Sequence, residues 1–448
     1  MLVCGIDIGT TNLKVALFEG SGNLRWIRAT ATPRTRDALG PVTDAAALVS
    51  LIEDMIVDGW RELGRPEPIA AISAAGVGED GLYVDASLVP LGPVVPWFDL
   101  RASAEADELA GTDAATPRAG IAMEPTRTAP KWLWASRHQP EQVAAARTWL
   151  SLADYALARW ADTPFMSDTL ASRTGCFDAA ARQWIAPLLA ASAAPAMPPV
   201  VSAGTVIGTV RGAGLRRSEA VCDNTLLVAG GHDHPVAAHA IHRLAADARV
   251  DSMGTANVIY GDAPSFAVTG YDPLISFMAS IEGPEKVACL GVFEFTAAVN
   301  RFPGGMEAVR RVLTLPQMPG EPCATAASPF ASERHLLEWA TMNARMMLER
   351  LGGYGVPEGP IFATGGWSRS RALLELRASI FGQPVHAPEE KELSVLGAAM
   401  LATTAAGGRA TLDTPVTVVE PNETWRRHYA DVFAQFASAE RHRRGQSA

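Results

Sequence analysis

What this chain lacks narrows it first. No apolar run approaches the ~20 residues a membrane-spanning helix needs. The start MLVCGIDIG has no charged segment ahead of its apolar one, so it reads as a strand of the mature protein rather than a leader. Cysteine is scarce: Cys4, Cys176, Cys222, Cys289 and Cys323 are odd in number, scattered, and free of any CxxC or metal-type pairing. That argues against a disulfide framework and leads to the expectation of a reducing, cytoplasmic setting. Basic charge is in deficit too. A net charge of −10 and a pI near 5.5 argue against nucleic acid or membrane as partner, since either asks for a basic face. The basic ending RHRRGQSA reads as a frayed, solvated tail.

What is present is size and alternation. With 448 residues, 48% of them hydrophobic, the chain exceeds a single core, so two domains are expected, with ligand sites between them. Strand-like runs at Leu2–Ile8, Val15–Phe18, Ala70–Ala74, Leu82–Val84 and Leu226–Ala229 alternate with Ala-rich helical stretches, Ala45–Leu63 and Glu141–Trp160. Such alternation predicts an α/β fold. The domain boundary falls near Asp233–Arg243, where GGHDHPVAAHAIHRL opens a helix behind a Gly-Gly turn, dividing the chain into 1–240 and 241–448. Beyond it, Arg249–Tyr260 reads as strand, turn and strand, His335–Leu351 as a helix and Ile361–Thr364 as a strand. No residue-level repeat links the halves, yet both contain the same kind of hairpin.

That hairpin carries the first chemistry. Asp7 interrupts a buried strand, and a buried carboxylate is costly unless a cation, such as nucleotide-bound Mg²⁺, meets it. Gly9 lets backbone approach a phosphate, Thr10, Thr11 and Asn12 offer N–H and hydroxyl donors, and Lys14 can balance charge. A plain Gly turn is the competing reading. The turn from Ser252 to Asn257, with Gly254, Thr255 and Ala256, repeats the arrangement, and two such loops suggest two jaws on a polyphosphate. Gly365 and Gly366 precede a helix that begins near Ser368 or Ser370 and could admit a nucleotide at its N-terminus. Asp233, at a glycine-bared strand end, is placed to accept a hydroxyl proton; the competing role is a helix N-cap.

Around it, His232, His234, His239 and His242 lack the carboxylate or thiolate that would close a metal site, and His232 is read as a supporting hydrogen-bond partner. Glu79, Asp80, Trp97, Asp99 and Arg101 could hold sugar hydroxyls and cover a sugar face. A surface turn with an Asp99–Arg101 salt bridge explains the last two equally well.

Taken in order, GIDIGTTNLK, WFDLRA, AGGHDHPVAA, DSMGTANV and ATGGWSRSRALLELRASIFGQPV…ELSVLGAAMLA resemble the FGGY family of carbohydrate kinases. RTAPKWLW, LSLADYALARW and SDTLASRTGCFD resemble its middle section, so the likeness spans nearly the whole chain. It implies two actin-like (ribonuclease-H-like) domains around a cleft, ATP with Mg²⁺, and phosphorylation of a hydroxyl of a small ketose or polyol. It implies Asp233 as general base, Asp7 as the metal-facing acid, Gly9–Asn12 and Gly254–Ala256 as phosphate loops, and Gly365 and Gly366, with Ser370, as the adenosine turn. Glu79 and Asp80 fall where the family contacts its sugar.

The string GEDG and the His232-Asp233 pair resemble fuculose and rhamnulose kinases, whereas WFDLRA and TAPKWLW resemble xylulose kinases. Gly78-Glu79 stands where xylulose kinases have Met-His and where glycerol kinases have Arg-Glu, so that Glu79 fits the latter but Gly78 lacks its arginine. Two other readings stay open, an actin- or chaperone-like switching ATPase and a catalytically weak sugar-binding relative. A small-molecule sugar is the expected partner, and a homodimer is admitted.

Overall fold

The computed structural model describes residues 1–112, 120–254, 257–267, 272–293, 295–322 and 332–445. The first half contains strands β1 (Leu2–Ile8), β2 (Asn12–Glu19), β3 (Leu24–Ala31), β4 (Ala71–Gly76), β5 (Gly81–Val84), β6 (Thr148–Ser151), β7 (Val206–Thr209) and β8 (Leu226–His232). Six of them form one sheet in the order β7-β8-β4-β1-β2-β3. The second half supplies β9 (Arg249–Met253), β10 (Asn257–Pro264), β11 (Ile275–Ala279), β12 (Lys286–Phe293), β13 (Ile361–Thr364), β14 (Val385–Pro388) and β15 (Val416–Val419). These make a seven-stranded sheet, β11-β12-β10-β9-β13-β14-β15.

The two sheets follow one plan. In the first, β1 pairs antiparallel with β2 and parallel with β4, and β8 adds parallel to β4. In the second, β9 pairs antiparallel with β10 and parallel with β13, and β14 adds parallel to β13. The expected duplication is therefore present in the backbone although absent from the letters. Strand β1 is buried at all seven positions, as a central strand covered on both faces must be, and its near-continuous apolar run reflects that.

Among the helices, α1 (Ala45–Glu62) begins where the Asp44 carboxylate accepts from Ala47 N–H, and it buries Leu48, Ile52 and Ile56. Its successors are α2 (Thr128–His138), α3 (Leu152–Ala161), α4 (Asp233–Ile241), α5 (Glu333–Gly353), α6 (Arg371–Phe381) and α7 (Leu393–Ala405). Each half has its own core, and a third cluster joins them, with Val3, Ala71 and Val236 meeting Tyr260, Phe362 and Leu396. At its centre α7, from the second half, packs on β1, β4 and α4 of the first. Glycines permit that approach: a Cβ on Gly5 would stand 2.1 Å from the Val395 carbonyl oxygen, and one on Gly397 2.0 Å from that of Val236.

One expectation is corrected. Glu141–Trp160 is not one helix but a short helix, Pro140–Ala145, then β6, then α3. All four residues of β6 are buried and pair antiparallel with β5, so a cross-strand ladder overrides the Ala-rich helical pattern.

Candidate active site

Register brings the site together. Ile8 pairs with Gly76, and Gly76 with His232, so β1, β4 and β8 end side by side. The segments leaving those ends are the Gly9–Asn12 turn, the Gly78–Asp80 loop and the His232-Asp233 helix start. Ligands of open α/β sheets bind beyond such carboxyl ends. In the second sheet Ser252 pairs with Thr364, which sets the turn after β9 beside Gly365 and Gly366.

Asp7 and Asp233 each keep a buried oxygen, Oδ1, without a hydrogen-bond partner. Burial, reinforced by the charge of Asp233 and opposed by Lys14, pushes the Asp7 carboxyl up to about 7. Burial also raises Asp233, against the pull of His234. Two neighbouring acids with unmet oxygens form a donor set suited to a hard divalent cation. The N-cap of α4 is His232, and Asp233 is the first helical residue, so this aspartate is not the cap residue itself; its carboxylate accepts from the backbone N–H of His234.

His232 is buried beside it, its Nε2 3.3 Å from Asp233 Oδ1. Burial, with Arg173 and His234 nearby, holds this imidazole well below its usual range and hence neutral. No group of three or more His, Cys, Asp or Glu suited to a metal exists among the described residues. His239 and His242 face Glu282 instead, at 2.6 and 3.3 Å.

In the first turn Gly9 N–H donates to the Asn12 carbonyl (3.0 Å), and a Cβ at Gly9 would crowd that oxygen at 2.8 Å. Thr11 and Asn12 are exposed and Thr10 half-buried. Lys14, read as a charge partner for phosphate, is 2.6 Å from Glu392 at the start of α7. Gly254 directly follows β9, whereas Thr255 and Ala256 lie outside the described residues. Gly365 has φ +83°, and a Cβ there would meet the Met253 carbonyl oxygen at 2.5 Å, so only glycine serves this turn. Around Gly366 there is open space. The Ser370 hydroxyl is used within the fold, accepting from Leu373 N–H at 3.2 Å as the cap of α6.

Glu79 and Asp80, the two acids expected on the sugar side, part company. Glu79 Oε1 accepts from Arg127 Nη1 (2.7 Å) and from Nε and Nη2 of Arg173. Burial alone would raise this carboxyl, but Arg173 and Arg127 outweigh it and hold it below its usual range. Asp80 accepts from Trp97 N–H at 2.6 Å; burial pushes it up to about 6 against Lys131 and Arg34. Trp97 donates through Nε1 to Thr10 Oγ1 at 2.9 Å, tying the phosphate turn to the sugar side. Asp99 and Arg101 close on each other at 2.9 Å in two bonds, and Arg101 also reaches Asp37. That geometry is the salt-bridged turn of the competing reading.

Sequence reasoning assigned no role to Arg127, Arg173 or Lys131, although RTAPK and ASRTG contain them. Only their gathering around Glu79 and Asp80 reveals them. Lys131 Nζ donates to the carbonyls of Trp97 and Thr126 at 3.0 and 3.2 Å, and burial brings it down to about 8.

Comparison with known proteins identifies the family and the fold. Residues 2–239 match the N-terminal domain of the FGGY family of carbohydrate kinases and residues 291–406 its C-terminal domain. The chain is 27% identical over 431 residues to a xylulose kinase of Streptomyces coelicolor, covering 89% of this chain and 86% of that one. Its fold superposes on a xylulose kinase from Rhodospirillum rubrum (TM-score 0.83, 21% identity, 98% of each chain). It superposes also on a gluconate kinase from Lactobacillus acidophilus (TM-score 0.80, 18% identity, 98% of this chain and 97% of that). With both family domains matched in order around these paired acids, the chain belongs to the FGGY family of carbohydrate kinases.

Proposed function

We propose that this protein transfers the γ-phosphoryl group of ATP to a hydroxyl of a small ketose or polyol, with Asp233 as general base. The observation that carries the reading is the pair of buried oxygens without a hydrogen bond, Asp7 Oδ1 and Asp233 Oδ1, the second with His232 Nε2 at 3.3 Å, beside a Gly-Thr-Thr-Asn turn. Mg²⁺, when bound, would neutralise charge on the phosphate oxygens, and Asp7 is the acid that would hold it. N–H groups of the Gly9–Asn12 turn, and the turn beginning at Gly254, would donate to phosphate oxygens, while the bare glycines 365 and 366 leave room for the nucleoside. Asp233 takes the proton as the sugar oxygen bonds to phosphorus and ADP leaves. Burial raises its affinity for that proton above the usual carboxylate level, which suits a general base. His232, neutral and against Asp233, orients it.

The test is ADP release with Mg-ATP against ketoses and polyols, including L-fuculose, L-rhamnulose, D- and L-xylulose, D- and L-ribulose, erythritol and glycerol. One sugar should stimulate release strongly, and Asp233→Ala should lose about 10²–10⁴-fold in kcat while keeping its KM for ATP. Near-normal turnover in that variant would remove Asp233 from the role. A steady, sugar-independent rate would move the reading to a switching ATPase, and sugar binding without turnover to a catalytically weak relative.

A further inference from the structure

Beside the paired acids lies a wall that no motif announced. Gly78 does not have the positive φ that would demand glycine; what it lacks is used as space. A Cβ there would stand 2.5 Å from Arg173 Cγ, 3.1 Å from Arg173 Cβ and 2.9 Å from His232 Cδ2. Two of these are atoms of the arginine stem, so no swing of a flexible tip relieves the clash, and the third is the edge of the His232 ring. The Arg173 side chain thus runs through the volume that any larger residue at 78 would fill, and its guanidinium reaches Glu79. The remaining nitrogen, Nη1, lies 3.7 Å from Met278 Sδ of the other half. Arg127 approaches the same carboxylate oxygen and ends on Glu124 at 2.8 Å. All three guanidinium bonds fall on Oε1. Oε2 receives none among the described residues, and it is not one of the sealed, unpartnered atoms.

We propose that Arg173, admitted by the missing side chain at Gly78, is a positioning residue for sugar recognition: with Arg127 it clamps Glu79 Oε1 and leaves Oε2 to accept a substrate hydroxyl. The inference rests on the kinase reading above and adds the chemical class. A carboxylate acceptor with its two arginines already engaged takes a hydroxyl donor and repels an acid, and the nearby Lys131 is committed to the carbonyls of Trp97 and Thr126. The substrate is therefore a neutral ketose or polyol and not an aldonate, even though the fold superposes on a gluconate kinase.

The experiment is steady-state kinetics of the full chain with Mg-ATP, using neutral ketoses and polyols alongside gluconate and shorter aldonates. Neutral sugars should be phosphorylated and aldonates not. Gly78→Ala, which keeps every charged group but displaces the Arg173 stem, should raise the sugar KM roughly 10- to 100-fold. The KM for ATP should be unchanged. Arg173→Ala should do the same, Arg173→Lys should recover part of the loss, and the Gly78→Ala/Arg173→Ala double variant should be no worse than Arg173→Ala alone, because both act through one contact.

An unchanged KM for ATP shows that each variant folds; if Arg173→Ala does not fold, Gly78→Ala and the wild-type panel still decide. An aldonate as best substrate, a wild-type sugar KM in Gly78→Ala, or additive losses in the double variant would overturn the proposal while leaving the kinase standing. A wild-type protein that phosphorylates no member of the panel would take down the kinase reading, and this inference with it.

Discussion

Burial pushes the Asp7 carboxyl up to about 7, so the folded protein holds that proton more tightly than the unfolded chain does. Stability from this group therefore falls as pH rises from about 3.8, its ordinary value, through about 7. Asp7→Asn removes the cost: its melting temperature at pH 8 should exceed wild type by a few degrees, while turnover drops about 100-fold or more. Calorimetry beside the ADP assay checks both, and a variant that is less stable and still active would refute the metal-facing role. Asp7 and Asp233 were legible in the sequence because a carboxylate inside an apolar strand, or at a Gly-Gly strand end, is anomalous by itself. Arg127 and Arg173 were not, since an arginine outside any motif shows its purpose only when folding sets it on Glu79, 48 and 94 residues away.

Helix α7 is buried along almost its whole length, from Leu393 to Thr403, which is what a helix lodged between two domains requires. Its seat depends on hydrogen in place of methyl at Gly5 and Gly397. Gly397→Ala should lower stability by about 1–3 kcal/mol through overpacking, seen as an earlier thermal transition; an unchanged transition would show that α4 and α7 can move apart freely.

Under the second loop, Asn257 Nδ2 donates to Asp251 Oδ1 at 2.7 Å, and Arg377 donates to Asn257 Oδ1 with its Nε 3.5 Å from Asp251 Oδ2. Arg377→Met strands the fully buried Asp251 and should cost about 3–5 kcal/mol, most of it regained in Arg377→Met/Asp251→Leu. Denaturant titration of the three proteins measures this, and a double variant as weak as the single would discount the ion pair. Elements defined by a continuous apolar run, such as Leu2–Ile8 and Ile361–Thr364, were readable to the residue. The segment from Glu141 to Trp160 was not, because the pairing of β6 with β5 is set by residues some 65 positions upstream.

The halves are also held by charge. Lys14 of β2 meets Glu392 of α7, and His239 and His242, on and just beyond α4, meet Glu282. His242 Nε2 lies 3.7 Å from Asp262 Oδ2, Tyr260 donates to the other oxygen of Asp262 at 3.1 Å, and Arg243 leans on His239. Burial opposes a charge on His242, but Glu282 and Asp262 raise it above its usual range. Burial likewise opposes the Glu282 carboxylate, but His239 and His242 hold it well below its usual range.

A raised histidine stabilises fully below its ordinary value and loses that as pH rises through its folded one; a depressed glutamate stabilises fully above its ordinary value and loses that as pH falls. The clamp is therefore complete between about 4.5 and about 6.5. His242→Gln should lose most melting temperature inside that window and little at pH 9; a difference independent of pH would sink the clamp.

By itself the sequence determined the two-hairpin α/β plan, the acids and glycines at the strand ends, and the family, because strand burial and backbone clearance act over a few neighbouring residues. Which arginines close on Glu79, which partner Asp80 finds, and how one half is pinned to the other were decided only by the tertiary structure. Those contacts join residues tens to hundreds of positions apart, and their energies exist only once water has been excluded from between them.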